Sequence, residues 1–281
     1  MNGKTNNRQI TAKLLLLVAL LLPLGSQALQ IKSRDPYAGA IAIDYASGET
    51  IFEDGADRVA YPASMIKLMN LYVLMDHLKL GLIHLDDPVE ISREVALIGG
   101  RQVWLAEGEV FSVEELIYAM MVHSANDAAT ALAIHCAGNK EDFVALMNRK
   151  AREIGMDSTE FNNVHGLPPS RGQKVDVSTA RDFAVLGQRI LRDYPEILKY
   201  TSVRTRPFRE SKPVILTSPN KVARMVEGCD GLKTGFFSAG GFSITATAQR
   251  NGRRVIAVVI GCKSKNTRNK EAARLLEMGL E

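Results

Sequence analysis

Three short motifs contain the side chains of this sequence that are best suited to chemistry. They are S-M-I-K at residues 64–67, S-A-N at residues 124–126 and K-T-G at residues 233–235. A serine hydroxyl is a poor nucleophile without a base, and a lysine whose pKa is lowered in a dry site can act as that base. The first motif therefore suggests a serine nucleophile that has its own lysine base.

The position of Ser64 strengthens this interpretation. Ser64 stands at the start of a strongly apolar helical pattern, and Lys67 follows it by three residues. Positions i and i+3 share one face of a helix, which brings Lys67 within reach of the Ser64 hydroxyl. The N–H groups and positive dipole at a helix start stabilise negative charge there. The alternative is an ordinary helix cap at Ser64 beside a solvated lysine, the commoner explanation of a single S-x-x-K.

The short patterns recur elsewhere, and their context separates them. Residues 218–221 match both S-x-x-K and S-x-N, but a proline at the second position prevents a helix through them. Residues 264–266 match S-x-N in what we expect to be a polar turn after a strand. The K-T-G motif occurs once, on a predicted strand, where Lys233 and the Thr234 hydroxyl are suited to binding a carboxylate. Gly235 would let a ligand backbone approach that strand.

Strands at both ends of the sequence and helices in its middle must position these motifs. Alternation and turn residues predict strands at 39–45, 49–52, 231–237, 242–249 and 255–261. Helical periodicity and caps predict helices at 64–80, 112–123, 127–136, 140–154, 178–194 and 268–278. This order predicts an α+β fold, with an antiparallel sheet assembled from both ends and a helical lobe inserted between them.

The first 28 residues have the three parts of a secretory signal peptide. They hold three basic residues and no acidic ones, an apolar run at 14–24 that is too short to span a bilayer, and small residues before Ala28. Without them the formal charge of +4 falls to +1, so the basicity is not a binding surface. We expect signal cleavage after Ala28 and an exported protein, periplasmic or extracellular, without a stable membrane anchor.

Several other classes of protein are excluded or disfavoured. With 281 residues, 46% of them hydrophobic and 23% charged, the chain is neither disordered nor of low complexity. No P-loop, G-x-G-x-x-G or H-E-x-x-H motif occurs, and the histidines have no metal-binding spacing, so we expect no metal and no cofactor. The basic cluster Arg204, Arg206, Arg209 and Lys212 is interpreted as a solvated loop rather than a nucleic-acid site.

The three cysteines lie far apart, at Cys136, Cys229 and Cys262. An odd number permits at most one internal disulfide in an exported protein, and no C-x-x-C spacing occurs. Buried apolar thiols are the favoured interpretation, and a Cys229–Cys262 bridge is the alternative.

The three motifs, in this order, resemble the signature of serine β-lactamases and penicillin-binding proteins. The likeness extends to stretches around residues 62–64, 124–129, 155–156, 161–167, 178–182 and 230–235, and covers residues 36–280. It is most similar to the low-molecular-mass penicillin-binding D-alanyl-D-alanine carboxypeptidases, a serine DD-peptidase family. The resemblance implies a serine β-lactamase/DD-peptidase-like fold, with residues 29–281 as one catalytic domain that lacks the C-terminal β-rich domain of membrane-bound members.

The resemblance also implies the catalytic roles. Ser64 attacks the carbonyl of the terminal D-Ala-D-Ala bond of a peptidoglycan stem peptide, and Lys67 takes its proton. Ser124 relays a proton towards the leaving amine. The backbone N–H groups of Ser64 and Phe236 form the oxyanion hole. β-Lactam antibiotics would acylate the same serine and act as covalent inhibitors.

The substrate-binding roles follow from the same resemblance. Asn126 orients the substrate amide, and Lys233 and Thr234 hold the terminal carboxylate. Arg268, ahead of the last helix, matches an arginine that helps to bind this carboxylate. For Arg268 the alternative is a solvated charge at a helix start.

Three other functions remain as alternatives. A DD-endopeptidase that cuts peptidoglycan cross-links has the same motifs, and Asp127 after Asn126 favours a carboxypeptidase only weakly. A serine β-lactamase also needs a base that activates water. Glu160 lies in the expected region for that base, but Val164 stands where an asparagine is expected. A non-catalytic cell-wall binding protein on this fold is disfavoured because the motif side chains are intact.

Overall fold

The computed structural model of the protein describes residues 1, 34–169, 172–211 and 213–281. Its strands are β1 (Gly39–Asp44), β2 (Thr50–Asp54), β3 (Pro88–Glu90), β4 (Val110–Ser112), β5 (Thr205–Phe208), β6 (Val214–Thr217), β7 (Cys229–Phe237), β8 (Gly241–Arg250) and β9 (Arg253–Cys262). Its α-helices are α1 (Lys67–Lys79), α2 (Arg93–Ala96), α3 (Val113–Tyr118), α4 (Asn126–Ala137), α5 (Lys140–Glu153), α6 (Ala180–Asp193), α7 (Leu198–Thr201) and α8 (Lys265–Leu280).

The main sheet joins the two ends of the chain, as the sequence predicts. Its five strands lie in the order β2-β1-β9-β8-β7, and every neighbouring pair is antiparallel. β1 pairs with β9 so that Ile41 lies opposite Val258, which places the two termini of the domain side by side. The turn between β8 and β9 is at Asn251 and Gly252, both with positive φ, as a tight hairpin requires.

Both faces of this sheet are covered, which explains the continuous apolar sequence of β9. Ile256, Val258 and Ile260 pack into the larger core with α6 and α1. The alternate residues of β9 pack into a second core under α8. A strand buried on both faces cannot show the alternating pattern of a half-exposed strand.

The helical lobe places α1 at its centre. The first nine residues of α1, from Lys67 to Met75, are all buried, and so are the first eight of α4. α1 contacts α4, α5, α6 and the sheet. A lysine at the first position of such a helix is necessarily removed from water. The lobe also contains the predicted capping box, in which the Ser112 and Glu115 side chains each accept from the other's backbone N–H.

The structure differs from the sequence predictions in several places, and the short elements β3–β6, α2 and α7 were not predicted. The last helix begins at Lys265 rather than Arg268, because the Ser264 hydroxyl accepts from the Thr267 N–H as a helix cap. The basic cluster is not a solvated loop. Arg206 lies in β5, paired with β6, and its guanidinium stacks 3.7 Å from the centre of the Tyr118 ring.

Arg209 is the clearest exception within this cluster. Its side chain is only 7% exposed and forms an ion pair with Glu109 at 2.9 Å. It also donates to the carbonyls of Val103 and Trp104. These acceptors lie about one hundred residues away in sequence, so local charge counting could not predict the burial. Lys212 lies outside the described residues.

The three cysteines are free thiols and the Cys229–Cys262 bridge is not formed. Cys262 is buried, as favoured from the sequence, whereas Cys136 and Cys229 are only partly buried. Burial raises the pKa of the Cys136 and Cys262 thiols to about 12 and that of Cys229 to about 11. The predicted signal peptide, residues 1–28, lies outside the described residues apart from Met1. Within the described ranges, no helix has the length and apolar character needed to cross a bilayer.

Candidate active site

A 3-10 turn, Ala63–Ile66, carries Ser64 immediately before α1. The turn is fixed from two sides. A Cβ on Gly235 of β7 would lie 2.3 Å from the Pro62 carbonyl oxygen, and one on Gly166 would lie 2.2 Å from that of Ala63. The sequence suggested that Gly235 allows a ligand backbone to come close. In the structure it is the serine turn that approaches Gly235 closely. Ala63 has a φ of 50°, an unfavourable conformation of the kind that clusters at functional sites.

The predicted contact between the first serine and lysine is present. The Lys67 Nζ lies 3.0 Å from the Ser64 Oγ, 2.7 Å from the Asn126 Oδ1 and 2.5 Å from the His165 carbonyl oxygen. Lys67 is completely buried, and no side-chain cap is formed at the start of the turn. Ser64 is thus not an ordinary helix cap, and Lys67 is not a solvated side chain.

The surroundings of Lys67 favour its uncharged form. Burial holds its pKa well below the ordinary value for lysine, and the positive charges of Lys233 and Arg101 lower the pKa further. The negative charges of Asp127 and Asp176 raise the pKa of Lys67, but neither carboxylate contacts the amine. The Asp127 carboxylate accepts from the N–H groups of residues 103 and 105, and Asp176 accepts from those of residues 162 and 163.

The S-A-N motif lies between the two lysines. Ser124 ends a π-helical turn with a φ of 65°, and its Oγ accepts a hydrogen bond from the Lys233 Nζ at 2.8 Å. Asn126 is the first residue of α4 and its Nδ2 donates to the Gly99 carbonyl at 2.9 Å. One motif residue thereby contacts each lysine: Ser124 contacts Lys233, and Asn126 contacts Lys67.

A second group of buried cations lies beside β7. Lys233 and Arg268 are each 2% exposed, and Thr234 is 6% exposed. Burial, then Arg101 and Arg268, lowers the pKa of Lys233 to about 7. Burial lowers the pKa of Arg268 to about 10, and its guanidinium donates to the Asn269 Oδ1 at 2.7 Å. Arg268 is therefore not the solvated charge considered from the sequence.

These cations have no acidic partner of their own. None of Lys67, Arg101, Lys233 and Arg268 forms an ion pair with any carboxylate in the described part of the chain. Buried charges are normally paired, because desolvation of an isolated charge is costly. A cluster of this kind is therefore suited to an anionic ligand, and a carboxylate would satisfy its free donors.

Phe236 follows the K-T-G motif at the end of β7. Its ring is half-exposed and stacks on Phe242, with the ring centres 4.1 Å apart. The preceding residue, Gly235, packs against the Ser64 turn, so the backbone of Phe236 lies close to that turn. All eight predicted site residues are thus brought to one region.

Glu160, the residue considered as a β-lactamase base, forms no hydrogen bond with Ser64 in the described part of the chain. Its side chain is half-exposed and forms an ion pair with Lys174 at 3.0 Å. Its backbone pairs with Val177 in an isolated bridge. The hydrogen-bond partners of the Ser64 hydroxyl are the Lys67 amine and the His165 carbonyl, and no carboxylate of the described residues contacts it.

The sequence motifs miss two members of the site. The His165 carbonyl accepts hydrogen bonds from both the Ser64 hydroxyl and the Lys67 amine. A search for reactive side chains cannot find a backbone carbonyl, although residues 165–167 belong to one of the family-like stretches. Arg101 influences the pKa of both lysines, and no sequence motif marks it.

Gly166→Ala is expected to slow acylation of Ser64 by penicillin about a hundredfold. A Cβ at this position would lie 2.2 Å from the Ala63 carbonyl oxygen and 2.7 Å from the Ser64 nitrogen, so the nucleophile must shift. A displacement of about 1 Å costs roughly this factor. The measurement is the second-order rate of labelling by a fluorescent penicillin.

Gly252→Ala is the matched control for this substitution. Gly252 has a φ of +80°, almost the same as the +82° of Gly166, but a Cβ there would meet nothing within 4 Å. Backbone strain is therefore common to both variants, and only the contact with the serine turn differs. Equal labelling rates of the two variants would show that Gly166 does not position Ser64.

The chain is similar to known D-alanyl-D-alanine carboxypeptidases. A family model with this description, peptidase family S11, matches residues 26–264. The chain is 36% identical over 248 residues to D-alanyl-D-alanine carboxypeptidase DacC of Escherichia coli (strain K12), covering 85% of this chain and 60% of that protein. It is 32% identical over 240 residues to DacF of Bacillus subtilis (strain 168), with the same shares covered. The chain thus spans about 60% of the length of the curated relatives it matches.

A solved structure has the same fold. Penicillin-Binding Protein D2 from Listeria monocytogenes, in the ampicillin-bound form, matches with a TM-score of 0.78 and 32% identity. The match covers 86% of this chain and 96% of that chain. The predicted α+β fold of the serine DD-peptidase type is thereby confirmed.

Proposed function

Because this chain belongs to the D-alanyl-D-alanine carboxypeptidase family, we propose that it is a serine-type D-Ala-D-Ala carboxypeptidase. In this proposal it removes the terminal D-Ala of peptidoglycan stem peptides through an acyl-enzyme on Ser64. One observation carries the proposal above all. The buried Lys67 amine lies 3.0 Å from the Ser64 hydroxyl, and no carboxylate of the described residues forms an ion pair with it.

The contacts of Lys67 suit a neutral amine. A neutral amine has two N–H donors and one lone pair. The Asn126 Oδ1 and the His165 carbonyl are two acceptors for the N–H groups. In the proposed step the Ser64 hydroxyl turns from the His165 carbonyl to this lone pair, which accepts its proton as the serine attacks the peptide carbonyl. An ammonium group would have no lone pair for this step.

The developing negative charge and the leaving group need two further devices. We propose that the backbone N–H groups of Ser64 and Phe236 stabilise the oxyanion of the tetrahedral intermediate. Ser124 passes a proton towards the amine of the departing D-Ala. The hydrogen bond from the Lys233 amine to the Ser124 oxygen, at 2.8 Å, supports this role, because it holds the hydroxyl beside the cleft.

The basic side chains without carboxylate partners would make the enzyme prefer substrates with a free C-terminal carboxylate. Lys233, Thr234 and Arg268 are proposed to bind the terminal carboxylate of the substrate. Asn126 is proposed to orient the amide on the acyl side. A carboxylate at this position would also stabilise the charged form of Lys233, whose pKa in the free protein is about 7. β-Lactams, which carry a carboxylate near their reactive carbonyl, would enter the same site and acylate Ser64.

The location of the enzyme follows from its proposed substrate. We propose that residues 1–28 are a cleaved signal peptide and that residues 29–281 act as one catalytic domain in the bacterial cell envelope, periplasmic or extracellular. Nucleic acid is not a proposed partner, because the basic residues of the site are proposed to bind a small carboxylate. The proposed reaction requires no cofactor.

Digestion of isolated muropeptides tests the proposal. We expect the purified protein to release free D-Ala from uncross-linked pentapeptide muropeptides, with mass spectrometry detecting the loss of one alanine. Loss of cross-linked dimers without release of D-Ala would instead identify a DD-endopeptidase. Rapid turnover of penicillin without either product would identify a β-lactamase, and the absence of all three activities would contradict an enzymatic function.

A further inference from the structure

Arg101 is held rigidly at the edge of the proposed active site. Its carbonyl accepts from the Asn126 N–H at 2.7 Å, and the Asn126 side chain binds the nearby Gly99 carbonyl. Two residues further on, the Val103 N–H donates to the buried Asp127 carboxylate at 3.0 Å. The backbone that carries Arg101 is therefore fixed to the start of α4, next to a residue that contacts Lys67.

The guanidinium of Arg101 has most of its donors free. It donates to the Thr217 carbonyl at 3.0 Å and has no carboxylate partner in the described ranges. Most other described arginines that form side-chain hydrogen bonds do have an acidic partner, including Arg181, Arg209, Arg250, Arg253 and Arg254. Arg101 is exposed, whereas Lys67, Lys233 and Arg268 are buried. Among these four basic residues, Arg101 is the one that lies at the solvent-exposed edge of the site.

We propose that Arg101 is a specificity-determining residue that binds a second carboxylate of the substrate. This carboxylate would be carried by the residue that precedes D-Ala-D-Ala. The inference rests on the proposed carboxypeptidase function. It differs from the terminal-carboxylate site because that site is made by Lys233, Thr234 and Arg268, all at most 6% exposed.

The depth of the cations supports this division. The end of a peptide enters the buried part of the cleft, and a side chain one residue before the scissile pair lies nearer to solvent. Arg101 is near enough for its charge to lower the pKa of both Lys67 and Lys233, yet it remains exposed. An arginine fork with free donors matches a carboxylate in a bidentate manner. A carboxamide would lose the charge of that interaction.

A pair of matched peptides tests this inference. Both end in D-Ala-D-Ala, and the residue before that pair carries a free carboxylate in one peptide and a carboxamide in the other. We expect kcat/KM for release of D-Ala to be about tenfold higher for the carboxylate peptide, a usual factor for a charge-assisted hydrogen bond. Arg101→Gln should reduce this ratio to about one, and Arg101→Lys should retain part of it.

Arg253→Gln is the matched control. Arg253 is half-exposed and forms an ion pair with Asp44 at the β8–β9 hairpin, whereas Lys233 pairs with Thr245, five residues before the hairpin end of β8. This variant should keep the tenfold ratio. The ratio of the unchanged protein should also fall as salt is raised from about 0.05 M to about 0.5 M, because an exposed ion pair is screened.

Three results would overturn the inference. The first is equal kcat/KM for the two peptides with the unchanged protein. The second is a ratio that survives Arg101→Gln. The third is an equal loss on both peptides, which would assign Arg101 to the terminal carboxylate or to structural support through Thr217. Failure of the carboxypeptidase function itself is distinguishable, since the unchanged protein would then release D-Ala from neither peptide.

Discussion

Ser64→Ala is expected to abolish covalent labelling by penicillin and to reduce D-Ala release at least about a thousandfold. The variant keeps the buried Lys67 and the cation cluster but has no atom that can form the acyl-enzyme. A thousandfold loss corresponds to about 4 kcal/mol of transition-state stabilisation. Intact-protein mass spectrometry after incubation with penicillin checks the adduct, and a coupled assay of free D-Ala checks the rate.

Ser218→Ala is the matched control, because residues 218–221 also read S-x-x-K. Ser218 accepts from the Asn220 N–H at 3.3 Å within a turn and has no lysine on its hydroxyl. This variant should be labelled as fast as the unchanged protein. A penicillin adduct of unchanged mass and yield on Ser64→Ala, with its melting temperature also unchanged, would refute Ser64 as the nucleophile.

The contrast between these two serines shows what sequence patterns can predict. The apolar periodicity after Ser64 and the proline after Ser218 are local features, and they separate a helix start from a turn. The capping box at Ser112 and the hairpin at Asn251 are local in the same sense, and both are present. Local signals of this kind predicted the five strands of the main sheet and the longer helices, but not the short elements β3–β6, α2 and α7.

The remaining features of the site depend on contacts between distant segments. The His165 carbonyl accepts a hydrogen bond from the hydroxyl of Ser64, a residue 101 positions away in the sequence. Gly235 and Gly166 act through close approach to the same turn from two separate elements. Arg209 is buried because Glu109 lies opposite it. No pattern within a window of sequence contains both partners of such a contact, so only the folded chain can reveal them.

The cation cluster illustrates how this limits functional inference. Composition placed the formal charge mainly in the first 28 residues and left the rest near neutrality. The structure nevertheless gathers Lys67, Lys233 and Arg268 in the interior and Arg101 at the rim, without carboxylate partners in the described ranges. A nearly neutral domain can therefore contain a site rich in basic side chains, because their placement is set by the fold rather than by the total charge.

Lys67→Arg is expected to slow acylation of Ser64 by penicillin at least about a thousandfold at every pH from 5 to 10. A guanidinium remains protonated in proteins and has no acceptor lone pair, so it cannot take the serine proton. Much of the side-chain volume is kept, but the lone pair of the neutral amine is replaced by a permanent positive charge. Lys221→Arg, in the second S-x-x-K pattern, is the control and should acylate at the normal rate.

The pH profile of the unchanged protein gives an independent test of the same base. Burial and the neighbouring positive charges lower the pKa of Lys67, so its neutral form persists far below the pH at which a free lysine is protonated. The sign follows directly: the acylation rate should fall as pH drops through this lowered pKa, and it should be level above it. Arg101→Gln removes one positive neighbour and should move this acid limb to higher pH.

The two experiments together distinguish a base from a merely structural lysine. A structural lysine could reduce activity when replaced by arginine, through poor packing, but it would give no acid limb that responds to the charge of Arg101. A limb that stays in place in Arg101→Gln, with Lys67→Arg still acylating within tenfold of the normal rate, would contradict proton transfer to Lys67. We expect instead that the limb moves and that Lys67→Arg is inactive, because only a neutral amine at this position has a lone pair that can take the Ser64 proton.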